Sequence, residues 1–257
     1  MGVFRRRVKK LVERLTGCEI ERFGDKSFLL IDKKRRTDAW FSRTGQIRSI
    51  VDKFEIDLVI DVGANEGQFA RDLRSFYRGK ILSFEPVSSA FEKLATAANS
   101  DPNWHVHKLA LGSRESTQAI NVSTSTVFSS LLKTNDYCAR RFGREALGTG
   151  NEVVSIRRLD KLLYDIAPDF ESRRIFLKLD TQGYDTEVFK GLGNKLECVV
   201  ALQSEVSLIP IYEGMPHWTE SIATYERAGF AVVGMFPVTQ DSDRVIEYDC
   251  LMIRVES

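Results

Sequence analysis

The stretch "VIDVGANEGQFA", residues 59–70, runs an apolar segment directly into a glycine turn, and "GQFARDLRSFY" continues it with helical periodicity. A strand so uniformly apolar is buried on both faces, a condition met where helices cover both sides of a parallel sheet. In open sheets of that kind, ligands bind beyond the carboxyl ends of the strands, where the strand order reverses. The turn from Gly63 to Gly67 occupies such a place.

The strand–turn–helix pattern recurs from Asp57 onward. "KILSFEP" reads as a second strand, with Pro86 suited to the first turn of the helix "SSAFEKLATAAN". "WHVHKLALG", "RIFLKLDTQG" and "ECVVALQSEV" read as the third, fourth and fifth strands. "TESIATYERAGF" is a helix ending at Gly229, and "AVVGMFPV" with "VIEYDCLMIRV" predicts a closing antiparallel hairpin. Strands alternating with helices predict an α/β fold around a mostly parallel sheet. Residues from about 112 to 174 break the alternation and read as an insertion. Within it, "STQAINVSTSTVFSSLL" is a candidate hairpin, "NDYCARRFGREALGTGN" a loop or short helix, and "EVVSIRRLDKLL" a strand turning into a helix at Leu159. Residues 1–50 form an N-terminal extension, with a strand candidate at "SFLLID" and a following helix, and residues 51–257 form the main domain.

The turn itself narrows the ligand. A dinucleotide fingerprint, G-x-G-x-x-G, needs its second glycine so that the backbone can meet a pyrophosphate. Asn65 stands there instead, which weakens the case for NAD and suits a ligand without phosphate, such as a nucleoside carrying an amino-acid arm. Glu85 ends the second strand, about 20 residues on, where a carboxylate can accept both hydrogen bonds of a ribose diol.

Charge excludes some classes. Lys+Arg and Asp+Glu number 37 and 36, a net +1, whereas nucleic-acid binders carry a marked basic excess. No apolar run approaches the roughly 20 residues of a spanning helix. Cys18, Cys138, Cys198 and Cys250 are scattered without metal spacing and read as reduced thiols of a cytoplasmic protein. At the start, Phe4, Val8, Leu11, Val12 and Leu15 share one side of a helix whose remainder is rich in Arg and Lys. Such a basic amphipathic helix can pack on its own domain or rest on the inner face of an anionic membrane through residues 1–16. Arg6 stands where a myristoylation signal wants Ser or Thr.

In order along the chain, "VIDVGANEGQFA", "SFEP", "LALG", "SSLL", "RLDKLL", "FLKLDTQGYDTEVFKG" and "YDCLMIR" resemble the FkbM-type S-adenosylmethionine-dependent methyltransferases, from about residue 56 to the end. The resemblance implies a seven-stranded Rossmann-like sheet with its last strand antiparallel, S-adenosyl-L-methionine as cofactor, and methyl transfer most often to a hydroxyl oxygen. Cofactor contacts then fall on Asp61, Gly63, Asn65, Gly67 and Glu85, on Ala110 and Leu111 beside the adenine, and on Asp180. One position departs from the family pattern: Gln182 stands where Glu is common, keeping the size and acceptor oxygen but losing the charge.

A neutral hydroxyl is a poor nucleophile, so a positioned base should take its proton. The candidates are Asp180 at the end of the fourth strand, Glu205 just after the fifth, and His217 in the loop beyond. Each has a structural alternative: a turn cap, an exposed strand end and a helix-entry residue. His105 and His107 lack metal partners and read as structural, and no metal site is expected. "STSTVFSS" is an acceptor-side lining if it folds over the mouth, and otherwise a polar hairpin edge. The expected function is an O-methyltransferase acting on a glycosyl, glycolipid or polyketide-type hydroxyl, with a small-molecule or lipid-linked glycosyl acceptor and no nucleic acid. The alternatives are an NAD-dependent oxidoreductase or epimerase, opposed by Asn65 and the lack of a Tyr-x-x-x-Lys pair, and a non-catalytic binding module of the same fold.

Overall fold

The computed structural model describes residues 18–23, 27–32 and 42–255. The basic helix expected within residues 1–16 lies outside them. The chain divides into two compact units, residues 1–49 and 50–257. In the first, β1 (Cys18–Phe23) pairs antiparallel with β2 (Ser27–Asp32), Cys18 opposite Asp32. The segment "SFLLID" is thus a strand, as its composition predicts. β1 has only a short alternation, Cys18 and Ile20 against Glu19 and Glu21, and was missed in sequence. Helix α1 (Arg43–Lys53) follows along the chain.

The second unit continues in the expected order. Strand β3 (Leu58–Val62) leads to helix α2 (Gln68–Leu73), β4 (Lys80–Phe84), α3 (Ser88–Ala98) and β5 (Trp104–His107). The insertion holds β6 (Ala110–Leu111), β7 (Ser116–Ser123), α4 (Asp136–Phe142) and β8 (Gly148–Arg157). Then come α5 (Leu159–Ile166), β9 (Ile175–Leu179), α6 (Asp185–Lys190), β10 (Val199–Ser207), α7 (Trp218–Arg227), β11 (Phe230–Gln240) and β12 (Val245–Arg254). Seven strands form one sheet in the order β11-β12-β10-β9-β3-β4-β5. β12 alone runs against its neighbours β10 and β11, while the pairs from β10 across to β5 are all parallel. From β3 the chain builds outward through β4 to β5, then returns to lay β9 on the other flank of β3. The order reverses between β3 and β9, which is where a ligand crevice opens.

Every residue of β3 and β9 is buried, as continuous apolar strands covered on both faces require. The exceptions to apolarity, Asp61 and Lys178, sit opposite each other in the β3–β9 register and form an ion pair. On one face, Leu159, Leu162 and Leu163 of α5, Val188 and Phe189 of α6, and Ile222 and Tyr225 of α7 share a core with both strands. Burying each such side chain is worth about 1.5–3 kcal/mol.

Some boundaries differ from expectation. Pro86 precedes the N-cap Val87 and stands just outside α3. The third strand stops at His107, because Ala110 and Leu111 leave the main sheet to pair parallel with β8. β7 finds its antiparallel partner in β8 instead of folding back within its own segment, where only the bridge between Asn121 and Ser130 forms. The resulting small sheet, β6-β8-β7, packs Ile120, Val154 and Ile156 against Val87 and Ala90. Glu152 of β8 accepts from the amide and hydroxyl of Ser88, at 2.9 and 2.6 Å, placing a carboxylate at the N-terminus of α3. A second insertion contact sets Cys138 and Ala146 against Ile211, Tyr212 and Ile246. The insertion is therefore fastened on two sides of the crevice.

Candidate active site

Beyond the carboxyl ends of β3, β4, β9 and β10 lies a cavity of about 330 Å³, within the range of small-molecule sites. Gly63 and Asn65 line it from the first turn, and Glu85 from the second. Leu109, Ala110, Leu111, Ile120 and Leu131 supply an apolar wall. Asp180, Gln182, Glu205 and Glu247 close the opposite end. Among the described residues its lining thus carries four carboxylates and no Lys, Arg or His.

The turn is shaped by close approach. Gly63 has φ +73°, and a Cβ there would lie 1.9 Å from the Asp180 carbonyl oxygen, so only glycine lets β3 and β9 meet at this level. Gly67 has φ +83° and lies against the Trp104 ring, 2.8 Å from where a Cβ would stand. Asn65 takes the left-handed conformation at φ +47°, which Asn tolerates better than most residues. The amides of Gly63 and Ala64 both donate to the carbonyl of Phe84 at 3.0 Å. Glu85 accepts from the Asn65 amide through Oε2 and from the Val87 amide through Oε1, each at 2.8 Å. Burial pushes its carboxyl up to about 7, against the opposing pull of these two amides and of Lys178. Each oxygen retains a lone pair for a further donor.

Lys178 ties this turn to the next strand. Its Nζ donates to the carbonyl of Gly63 at 2.9 Å and pairs with Asp61 at 3.1 Å and Asp180 at 3.3 Å. Burial disfavours its charge, but the two carboxylates outweigh burial and hold its pKa above the usual value. Asp61 also accepts from Ser83 Oγ at 3.1 Å, and Ser83 in turn accepts from the indole of Trp104 at 2.9 Å. A polar chain thus runs from β5 through β4 and β3 to β9 beneath the site.

Gln182 organises the far end. Its Nε2 donates to Asp180 Oδ1 and to Glu205 Oε2, both at 3.0 Å, and its Oε1 accepts from the Tyr212 hydroxyl at 2.7 Å. A Glu here would offer neither donated bond and would add a third negative charge. Asp185, behind them, accepts from the amide and hydroxyl of Thr181, from Ser204 Oγ and from the Glu205 amide. Burial first, then Glu247, Asp180, Asp249 and Asp185, raise the Glu205 carboxyl well above the ordinary range. Burial likewise lifts Glu247 to about 7, although Ser207 donates to it at 3.1 Å.

Of the residues expected to contact a cofactor, Gly63, Asn65, Glu85, Ala110, Leu111 and Asp180 line the cavity. Asp61 and Gly67 do not; one anchors Lys178 and the other lets the turn pack on Trp104. Asp180 and Glu205 meet through Gln182, whereas His217 lies apart. It is exposed, occupies the N-cap position of α7, and its Nδ1 lies 2.8 Å from Thr219 Oγ1, so it is a helix-entry residue outside the cavity. The "STSTVFSS" segment does fold onto the mouth: residues 126–129 line it, and Thr126 Oγ1 donates to Asn65 Oδ1 at 2.9 Å. His107 stacks on Phe84 at 5.1 Å and serves packing. Lys178, Tyr212 and Glu247 were not expected. Among the described residues, no group of three or more His, Cys, Asp or Glu side chains could hold a metal ion, and no helix is long and apolar enough to cross a membrane.

In fold the chain is similar to an rRNA methylase from Streptococcus thermophilus, at 8% identity over 84% of this chain and 98% of that one, with a TM-score of 0.44. It is similar also to Aeropyrum pernix fibrillarin with natively bound S-adenosyl-L-methionine, at 10% identity, 92% and 83% coverage and a TM-score of 0.44. A third likeness is magnesium protoporphyrin IX methyltransferase of Synechocystis PCC 6803 with bound SAM, at 8% identity, 87% and 91% coverage and 0.43. No curated protein matches the chain in sequence. The family model for the methyltransferase FkbM domain matches residues 61–232, about two-thirds of the chain, across both the glycine turn and the Gln182 network; the chain belongs to the FkbM methyltransferase family.

Proposed function

We propose that this protein transfers the methyl group of S-adenosylmethionine to a hydroxyl oxygen of a glycosyl, glycolipid or polyketide-type acceptor. The observation that carries the reading is the division of one cavity between two kinds of carboxylate. Glu85, between the amides of residues 65 and 87, faces the half over β3 and β4 beside the apolar wall of Leu109, Ala110 and Leu111. Glu205 and Glu247 face the half over β10 and β12. Asp180 stands between them, after the central strand β9.

This arrangement fits the cofactor. Glu85 would accept from a ribose diol through its remaining lone pairs, the apolar wall would seat an adenine, and positive charge would be welcome in a lining that, among the described residues, holds four carboxylates and no basic residue. When bound, the sulfonium supplies an activated methyl group and a neutral leaving sulfur. The protein's own part is to align the reactants, exclude water and accept one proton. Alignment comes from the rigid β3 and β9 ends, locked by Gly63 and Lys178. Thr126 and Phe128 cover the mouth. Asp180 and Glu205, each 3.0 Å from the Gln182 amide nitrogen, orient the acceptor hydroxyl and take its proton. A polyanionic acceptor such as nucleic acid meets repulsion throughout this lining. The basic and apolar residues of the sequence from 1 to 16 extend the reading to lipid-linked acceptors at an anionic membrane face.

Calorimetry with S-adenosylmethionine, its demethylated product and NAD tests the donor: the first two should bind and NAD should not. Turnover against glycosylated acceptors with a ¹³C-methyl donor tests the product, whose carbon shift separates O-methyl from N- or C-methyl groups. NAD binding without donor binding would favour the oxidoreductase reading. Methylation confined to nitrogen would sink the hydroxyl assignment.

A further inference from the structure

We propose that Glu205 is the base for the acceptor hydroxyl and that entry of the cationic methyl donor itself drives the proton from Glu205, so that donor binding readies the site. The inference rests on the donor assignment above. Asp180 already has a cation, Lys178 at 3.3 Å. Among the described residues no Lys, Arg or His pairs with Glu205. The groups facing it are Asp180 after β9, Asp185 at the start of α6, Glu247 and Asp249 of β12, and the neutral Gln182 amide backed by Tyr212. Glu205 is half-buried at the cavity wall, and its loss of water together with the charges of these carboxylates favours the protonated form.

Geometry puts Glu205 next to the positive guest. In register, Ser204 of β10 lies beside Leu179 of β9, so Glu205, which sits within β10 and not after it as expected, stands beside Asp180 just past the end of β9. Both carboxylates lie 3.0 Å from one nitrogen, hence no more than twice that apart. A donor held with its ribose on Glu85 and its methyl group toward the β10 half of the same cavity would bring its sulfonium toward this end. The charges then balance in both states. Before transfer, a sulfonium faces an ionised Glu205. As the acceptor oxygen bonds the methyl carbon, the electron pair of the broken C–S bond stays on sulfur and the hydroxyl proton passes to Glu205. A neutral thioether then faces a neutral carboxyl.

S-adenosylmethionine and its demethylated product share adenine, ribose and amino-acid arm, so any protonation change at Glu85 is common to both. Calorimetry of the full chain in buffers of differing ionisation enthalpy, between pH 6 and 8, counts the protons released by each ligand. The donor should release up to about one proton more than the product, and its affinity relative to product should climb by up to about tenfold per pH unit before levelling. In Glu205→Gln the difference should vanish while the product still binds. Gln182→Met, which removes the amide donor and keeps Glu205, should move the release to higher pH; it serves as the second variant if Glu205→Gln folds poorly. Equal proton counts for the two ligands in the native chain would overturn the proposal. So would a difference that survives in Glu205→Gln and disappears in Glu247→Gln, because the proton would then belong to Glu247. If neither ligand binds, the donor reading fails and takes this inference with it.

Discussion

At the β4 end of the cavity, Glu85 is gripped by the backbone amides of Asn65 and Val87, and at the β10 end Glu205 is gripped by the side chain of Gln182. Backbone amides are fixed by the fold, so the first grip is as rigid as the turn that makes it. A side-chain amide depends on its own partners, here Asp180 and Tyr212, and can be exchanged without disturbing the sheet. The half we assign to the cofactor is thus built from elements that permit little variation. The half we assign to the acceptor is assembled from side chains of four separate segments: the β9–α6 loop, β10, the loop before α7, and β12. That division suits an enzyme fold whose donor is constant and whose acceptor differs from one member to the next.

The strongest break in the comparison is Gly63→Ala. It forces a Cβ within 1.9 Å of the Asp180 carbonyl oxygen at a φ of +73° and should cost about 3 kcal/mol or more, or abolish folding. Thermal unfolding measures it; a native-like Tm would show that the β3–β9 approach can relax. Next comes Glu205→Gln, which keeps shape and removes the proton acceptor. Its kcat should fall by about 10²–10⁴-fold with the fold intact, the usual range for a general base. Retention of most activity would transfer the role to Asp180.

The same contrast explains what the sequence disclosed. The half assigned to the donor is written locally: Gly63, Asn65, Gly67 and Glu85 fall within 23 consecutive positions, and the turn, the strand end and their spacing are readable without knowing the sheet. Gln182 stood out as a departure, but its role as a shared donor required the register of β9 against β10. Glu247 has no local signature. It lies on the reversed strand, opposite Ser207 and Thr239, and reaches the cavity only through that pairing. For His217 the choice between cavity and helix entry was open for a related reason: nothing in "IPIYEGMPHW" says which residue turns inward. Tyr212 does, fully buried and bonded to Gln182, while His217 faces out. The parallel strands and the closing antiparallel pair were legible because β3 and β9 are apolar but for Asp61 and Lys178 and the last two strands follow each other without a helix. The insertion was not, since β7 pairs across 24 intervening residues.

Glu85→Ala sharpens the donor side with a smaller effect. Loss of a charged acceptor should weaken S-adenosylmethionine binding by about 1.5–3 kcal/mol. It also leaves the amides of Asn65 and Val87 without their acceptor, so stability should fall as well, unlike in Glu205→Gln. Glu85→Gln, retaining one carbonyl oxygen, should lie between. Unchanged calorimetric affinity in Glu85→Ala, with the turn folded, would remove the ribose assignment.

The smallest effect expected is on stability against pH, and both ends of the cavity contribute to it. Glu85 and Glu247 have folded-state carboxyls near 7, above the ordinary 4.5, because burial disfavours their charge. Groups raised in this way stabilise the fold fully below about 4.5 and lose that contribution as pH rises through about 7. Asp101, Asp160 and Asp169 are shifted the other way: hydrogen bonds and charges from Arg74, Arg158 and Arg173 outweigh burial and hold them low. Their contribution is present above 3.8 and is lost as pH falls through their lowered values. Tm should therefore peak at about pH 4 to 4.5 and decline toward pH 8, by a few degrees for each kcal/mol lost in a domain this size. Glu247→Gln should flatten the alkaline limb without moving the acid one. A saturating cationic donor should stabilise more at pH 8 than at pH 5.5, since it binds most favourably when the carboxylates around it are ionised. A donor-induced Tm shift that is the same at both pH values would mean that the carboxylates at the two ends keep a fixed charge, and that the cavity does not exchange a proton for its guest.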